Sequence, residues 1–574
     1  MTASPLAPRP RLLLAALLGL ATTAALARGH LDVGYVRDEG IYFDASRHYA
    51  RWAAALLEQP GHALTAAERD RWFRINHEHP ALLKLLAGIS ARALAQPPQP
   101  GTAIEGVEPP APRGGVVPLL PEGAAMRLPA QVIAGLGVAL LFATAAATGG
   151  VLSGLVAAGA FMLLPHVWFH AGLHAFDVPV AVAMLTVVLA YRRAQSSRRW
   201  GVAAGVVLGL AIAVKHNALF AGPLLALHHF ATLAHARIRH RRPVSWGQWF
   251  PLPLWSMAVL APLVAFALWP WLWSDPIARI GEYVAFHRQH AYYNMEFLGA
   301  NYNQPPMPIA YPFVLTWASV PTTVLVLALV GLVVALRDDL APLWRVLPPA
   351  GTDAANASFW TPRPAGWNRG DGLLWLIMGG FPLLLIALPS TPIFGGTKHW
   401  ITAYPFLALA AAHAFAALLR RPLGPRWLAP ALAIVCLAPG AISTFDGHPF
   451  GMSQYAPFVG GARGGASLGL GRGFWGHAIA RELPLLPRDV GGTARLYVHD
   501  MHELAVLQYR REGRWPEGAE SVPLARAQSG LLFHELHMAT WEYQLWEQLG
   551  QTAPRHVVEL DGVPLTSVYG PPPR

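Results

Sequence analysis

Charge is scarce in this chain. Only 13% of its 574 residues are Asp, Glu, Lys or Arg, while 54% are hydrophobic and mean hydropathy is +0.35. Soluble domains carry about a quarter charged residues, so an ordinary water-soluble enzyme is excluded, and so is a disordered chain. Lysine is scarcer still: of 43 basic residues, only Lys84, Lys215 and Lys398 are lysines. The rest are arginines in an Ala-, Pro- and Gly-rich composition, so the net charge of +11 is weak ground for a nucleic-acid partner. The single cysteine, Cys436, excludes an internal disulfide and a cysteine-based metal cluster. It lies in an apolar run and reads as a small buried hydrophobe. No P-loop is present, so no nucleotide site is evident. There is no internal repeat, which weighs against a transporter built from duplicated halves.

What the chain has is long apolar segments. A spanning helix needs roughly 20 mostly apolar residues. Eleven segments fit or nearly fit: 11–28, 128–148, 150–166, 174–192, 201–216, 218–234, 250–270, 311–336, 372–389, 400–419 and 427–443. The first, preceded by Arg9 and Arg11, has the look of a signal peptide, but ten further segments leave no need for a removable one. The expected fold class is an α-helical polytopic membrane protein of about 11 transmembrane helices. Arginines settle the expected orientation. One set of connections holds Arg9 and Arg11, then Arg192, Arg193, Arg198 and Arg199, then Arg237, Arg239, Arg241 and Arg242, then Arg337, Arg345, Arg363 and Arg369, then Arg420, Arg421 and Arg426. Between the third and tenth segments, the opposite set holds only Arg279, Arg288 and Lys398. The N-terminus is therefore expected inside. A long first loop, 29–127, and a tail, 446–574, are expected at the outer face of a bacterial cytoplasmic (inner) membrane. Residues 1–445 read as the membrane domain. The inner connection 337–371 is Pro-rich and weakly patterned, and reads as a flexible loop.

Polar chemistry collects in the outer connections. The first loop opens with Asp38-Glu39 and an amphipathic helix. Ile41, Ala45, Trp52 and Leu56 lie near one face of that helix and Arg47, His48 and Arg51 elsewhere, as in a helix lying on a membrane surface. The two acids suit a helix N-terminus. Equally, an acid at the lipid–water boundary suits a general base. His77-Glu78-His79-Pro80 opens a second helix, with Lys84 one turn on. It reads as a cap or as part of a zinc site, but the latter lacks spaced third and fourth ligands, so no metal ligand is assigned. His166, His170 and His174 precede Asp177, which begins an apolar segment and needs a partner or a role there. Lys215-His216 and Lys398-His399 both fall at the outer boundary, where lysines either snorkel or bind phosphate. The connection 271–310 carries Tyr292, Tyr293 and Glu296, a composition suited to sugar rings. The tail reads as a small α/β unit: strand 494–499, helix 500–512, strand 530–534, helix 538–549 and a hairpin around Asp561-Gly562. Its His499, His502, His534 and His537 read as structural histidines, with a shared metal as the alternative.

Taken in order, Asp38-Glu39-Gly-Ile-Tyr-Phe-Asp, Asn76-His-Glu-His-Pro80, His174-Ala-Phe-Asp177, Lys215-His-Asn217, Trp269-Pro-Trp-Leu-Trp, Phe394-Gly-Gly-Thr-Lys-His-Trp400 and His448-Pro-Phe-Gly-Met-Ser-Gln-Tyr455 form a pattern. It resembles the integral-membrane C-superfamily glycosyltransferases, of the protein O-mannosyltransferase and aminoarabinose-transferase type. The resemblance runs along almost the whole chain. It implies inverting transfer of a sugar from a polyprenyl-phosphate donor to a hydroxyl acceptor. Asp38 is then the catalytic base, and Glu39 positions the acceptor or catalytic groups. Lys84, Lys215, His216, Lys398 and His399 become candidates for the donor phosphate, and His79, Asp177, Tyr292, Tyr293 and Glu296 for the substrate. His79 replaces a lysine found before the proline in aminoarabinose transferases, which puts that sugar in doubt. The resemblance names no definite cofactor and leaves a divalent metal open. The competing function is a multispan transporter or flippase of a lipid-linked sugar.

Overall fold

The computed structural model describes residues 6–109, 114–240, 246–344, 370–421, 424–486 and 494–571. The side chains of Arg237 and Arg239, and all of Arg241, Arg242, Arg345, Arg363 and Arg369, lie outside what is described, as does nearly all of the 337–371 connection.

Helices stand at all the predicted apolar segments, but fewer of them meet the demands of a membrane. Among the described residues, four are long and apolar enough to cross one: Pro8–Gly29, Glu122–Met162, Ile401–Leu419 and Leu428–Asp446. A fifth is added if the pair Tyr311–Ser319 and Thr322–Arg337 counts as one broken span. The helices Asp177–Ala194, Arg198–Val214, Ala221–His240, Leu252–Ala267 and Asp371–Ile386 fall short in length or apolarity. The chain is thus largely helical, and its described residues hold four or five candidate membrane spans where hydropathy alone suggests eleven segments. Two differences have local causes. Segments 128–148 and 150–166 lie within one 41-residue helix, broken at Gly150 (φ 77°). Segment 311–336 bends by 119°, because Pro321 lacks the N–H that would continue the helix and holds Val320 extended (ψ 125°). Pro8–Gly29 leaves Leu12, Leu13, Leu17 and Leu20 exposed, a face suited to lipid rather than water.

A short antiparallel hairpin pairs β1 (Met295–Phe297) with β2 (Ala300–Tyr302), and the tail contains a five-stranded sheet whose strands lie side by side in the order 519–521, 494–498, 529–533, 563–569, 556–560. The strands are β3 (Ala494–Val498), β4 (Ala519–Ser521), β5 (Ser529–Phe533), β6 (His556–Leu560) and β7 (Val563–Tyr569). β3 pairs in parallel with β4 and β5; β7 runs antiparallel to both β5 and β6. Helices Glu503–Arg511 and Ala539–Leu549 complete it. Each matches a segment expected from alternation or periodicity except β4, whose three residues are too few to show a period.

The first loop and the tail share one apolar core. Tyr35, Phe43 and Met126 pack with Ile479, Leu496 and Tyr509. The helix Arg37–Glu58, expected on a membrane surface, is buried in protein over much of its length up to Trp52 and exposed at its end. Ala45 and Trp52 pack on Phe73 and Trp271, and Arg47, expected on an outward face, is buried. Its guanidinium meets Glu122 at 2.9 Å, and Glu122 also meets Arg511 at 2.7 Å. Burial of the arginine is tolerable only because the carboxylate is buried with it.

A second buried pair fixes the start of that helix. Arg127 donates to both oxygens of Glu39 (2.7 and 2.6 Å) and to the carbonyls of His30, Val33 and Gly34 at 2.8–3.0 Å. Glu39 also accepts from the backbone N–H of Val36 (3.1 Å) and of His174 (2.8 Å). Removing one member leaves an uncompensated buried charge, at a cost of about 3–5 kcal/mol. Arg127→Met should therefore lower the thermal unfolding midpoint in detergent sharply. Arg127→Lys should restore only part of it, since an ammonium cannot reproduce the two-pronged bond.

Candidate functional site

Adjacent residues on a helix point about 100° apart. With Glu39 turned inward, Asp38 is turned out of the core, and its side chain is 26% exposed. Arg37 Nε and Lys398 Nζ each lie 3.9 Å from one of its oxygens, beyond hydrogen-bond distance. Arg37 gives its direct bond to Asp500 instead (2.7 Å). Asp38 is thus a carboxylate near two cations, with no direct bond to either, and able to accept a proton.

Lys398 is 8% exposed and its ammonium sits 3.8 Å from the centre of the Trp475 ring, with Phe394 and Phe474 at 5.1 and 5.6 Å. Burial pushes its pKa down to about 8, against the pull of Asp38 and Asp177. The side chain runs over Gly395, where an added Cβ would lie 1.9 Å from Lys398 Cε. The Trp475 carbonyl accepts the N–H of Arg37 (2.8 Å), so the aromatic wall and the residue before Asp38 are tied together.

Phe394 and Phe474 also line a small cleft, with His166, His170, Thr397 and Tyr455. Asp177 lies behind His170, whose Nδ1 is 3.8 Å away, and is paired with Lys215 at 2.7 Å. His166 bonds to Thr397 Oγ1 and to the Gln454 carbonyl, both at 3.0 Å. His174 instead meets Ser46 (2.9 Å). The three histidines do not share a face, because the helix Pro165–Ala171 ends before His174.

Asp38, Lys398, Asp177 and Lys215 are thus brought into one region, and other expected residues are placed elsewhere. Glu39 is fully buried and its oxygens are taken by Arg127 and backbone N–H groups, so it positions Asp38 and has no face for an acceptor. Lys84 is fully buried as well. It donates to the carbonyls of Asn76 (2.5 Å) and His79 (2.9 Å) and to the Asn76 side chain (3.0 Å), which uses all three donors and leaves none for phosphate. His79 packs against Tyr42 and Phe176. His216 packs against His287 and Tyr283. His399 accepts the Phe394 N–H (3.2 Å) and so shapes the Lys398 turn. Tyr292 donates to the Ser390 carbonyl (2.7 Å), Tyr293 lies on His290 and Phe394, and Glu296 lines the cleft. In the tail, His534 bonds to Ser567 and His502 accepts from the Leu504 N–H, and among the described residues no two of the four tail histidines share a metal-ligating group.

Trp475, Arg37 and Arg127 were not expected in these roles. The only sequence signal near Trp475 is glycine density, and Gly471-Arg-Gly473-Phe-Trp-Gly476 even has the spacing of a dinucleotide fingerprint. It neither follows a strand nor opens a helix of eight or more residues, so the context that gives that spacing meaning is missing.

No family model matches the chain, and no curated protein does. Among solved structures the chain is similar to ArnT from Cupriavidus metallidurans, reported bound to undecaprenyl phosphate, at 15% identity and a TM-score of 0.45, covering 96% of this chain and 97% of that one. The same protein in its apo state matches at 15% identity and a TM-score of 0.43, with the same coverage.

The Gly395 contact gives a direct test of the Lys398 placement. Gly395→Ala should cost about 1–3 kcal/mol of stability by overpacking. Combined with Lys398→Ala, which removes the clashing chain, the two losses should be clearly less than additive in denaturant unfolding.

Proposed function

We propose that this protein is an inverting glycosyltransferase of the outer face of the bacterial cytoplasmic membrane. It moves a sugar from a polyprenyl-phosphate carrier to a hydroxyl acceptor. The observation that carries this reading is an accessible Asp38 carboxylate 3.9 Å from the Lys398 ammonium, which Trp475 and the cleft-lining Phe394 and Phe474 surround. Asp38 takes the acceptor's proton as its oxygen bonds to the anomeric carbon. The bond from that carbon to the phosphate oxygen breaks on the opposite face, and its electron pair stays on the phosphate. The carrier thereby passes from a singly charged diester to a monoester with an additional charge. Lys398 is the cation placed to meet that charge where little water competes, which makes it worth more than an exposed lysine. Lys215 is neutralised by Asp177 and holds that carboxylate behind His170. Glu39 and Arg127 hold Asp38 in position without touching substrate. Eleven membrane passes, with the N-terminus inside and the first loop and tail outside, complete the proposal.

Purified protein in detergent, given radiolabelled polyprenyl-phosphate sugars, should transfer or release sugar from at least one. Asp38→Asn should reduce the rate by about 10²–10⁴-fold, the range for losing a general base. Transfer at the unaltered rate would remove Asp38 from the role, and carrier translocation in reconstituted liposomes with no transfer in either setting would favour a flippase.

The pH profile adds a second check. Lys398 is charged below about 8 and neutral above it. Activity should therefore fall as pH rises through about 8. In Lys398→Arg, whose guanidinium keeps its charge, that alkaline limb should disappear whatever the absolute rate.

A further inference from the structure

A second group of polar side chains faces the same cleft and takes no part in the chemistry above. Glu296 stands on β1 (Met295–Phe297), in a short hairpin with β2 (Ala300–Tyr302). Glu535 and His537 follow β5 in the tail. All three line the cleft. Their side chains are 12%, 11% and 14% exposed. His537 Nδ1 lies 3.7 Å from Glu535 Oε2 and 3.9 Å from Glu296 Oε1, and it is buried without a hydrogen-bond partner. One ligand atom from each residue falls within 4.8 Å of the other two.

These distances are too long for N–H···O bonds, which close at 2.7–3.2 Å. They suit a small cation between the atoms. Donors about 2.0–2.1 Å from a tetrahedral centre stand roughly 3.3 Å apart, so only a few tenths of an ångström of contraction is needed at His537. Zinc is bound by imidazole and by carboxylate oxygen, and three protein ligands with a fourth position open is the arrangement of its sites that also receive water or substrate. The orientation of Glu296 is already set, because it accepts the backbone N–H of Leu536. The two glutamates come from distant parts of the chain, so a cation would fasten the β1–β2 hairpin to the tail across the cleft.

We propose that Glu296, Glu535 and His537 bind a divalent first-row metal ion, with Zn²⁺ the best fit, at the cleft wall. This does not depend on the sugar-transfer reading. The full-length protein in detergent is stripped with a chelator, dialysed against Zn²⁺ and analysed for metal content and thermal midpoint. About one zinc per chain and a raised midpoint are expected, since a ligand bound only by the folded state stabilises it. His537→Gln and Glu535→Gln should each weaken zinc binding by roughly tenfold or more and abolish the midpoint shift. Glu296→Gln keeps an amide oxygen for the Leu536 N–H, so it should fold as the parent does and still lose affinity. A paired His77→Gln/His79→Gln variant should bind zinc as the parent does. Absence of stoichiometric zinc in the parent protein would overturn the proposal. Unchanged binding in all three ligand variants, or loss in the His77/His79 variant alone, would overturn it as well.

Discussion

The Glu39–Arg127 pair is the constraint on which the site depends. One guanidinium holds both oxygens of the carboxylate and three carbonyls of residues 30–34. It thereby joins the end of the first helix, the start of the Arg37–Glu58 helix and the Glu122–Met162 helix. The His174 N–H on Glu39 brings in the segment that leads to Asp177. Such a pair adds little net stability over apolar packing, but it tolerates only one geometry. The benefit is positional. With Glu39 locked inward, helical rotation leaves Asp38 facing outward beside the cleft.

The tail belongs to that same arrangement. Its core is continuous with the first loop through Tyr35, Phe43 and Tyr509, and the Arg47–Glu122–Arg511 network crosses the junction. The segment just before the sheet supplies Trp475 to Lys398, and β5 leads into Glu535 and His537 on the cleft wall. The site therefore needs the first loop and the tail to be folded together.

Much of this was legible in the sequence, and the failures share a cause. Apolar periodicity located the helices, and alternation located four of the five tail strands. Asp38-Glu39, Asp177, Lys215 and Lys398 stood out because charge is rare here, and four of these five meet around one region. What the sequence could not express was which charged residues find buried partners. Lys84 looks like a boundary lysine, yet the left-handed turn at Asn76 (φ 53°) and the His79 carbonyl enclose it. Arg47 looks outward-facing until Glu122, 75 residues later, covers it. Arg127 lies 88 residues from Glu39, and Trp475 is 77 residues from Lys398. Pairings of that separation leave no local pattern. The bend at Pro321 did have a local signal, but the apolar run on both sides obscured it.

The scarcity of lysine takes on a different meaning once the pairings are known. Lys84 is spent on backbone carbonyls and Lys215 on a single carboxylate, which leaves Lys398 held only by aromatic faces and a distant Asp38. An arginine there would stay charged at all accessible pH and would demand planar partners that the cage of Trp475, Phe394 and Phe474 does not offer in full. A compact ammonium over a ring is attracted without being saturated, so its hydrogen-bond donors remain available. Among the described lysines, Lys398 is thus the one whose environment supplies a charge but no acceptor within hydrogen-bond distance. That imbalance is what an incoming anion would correct.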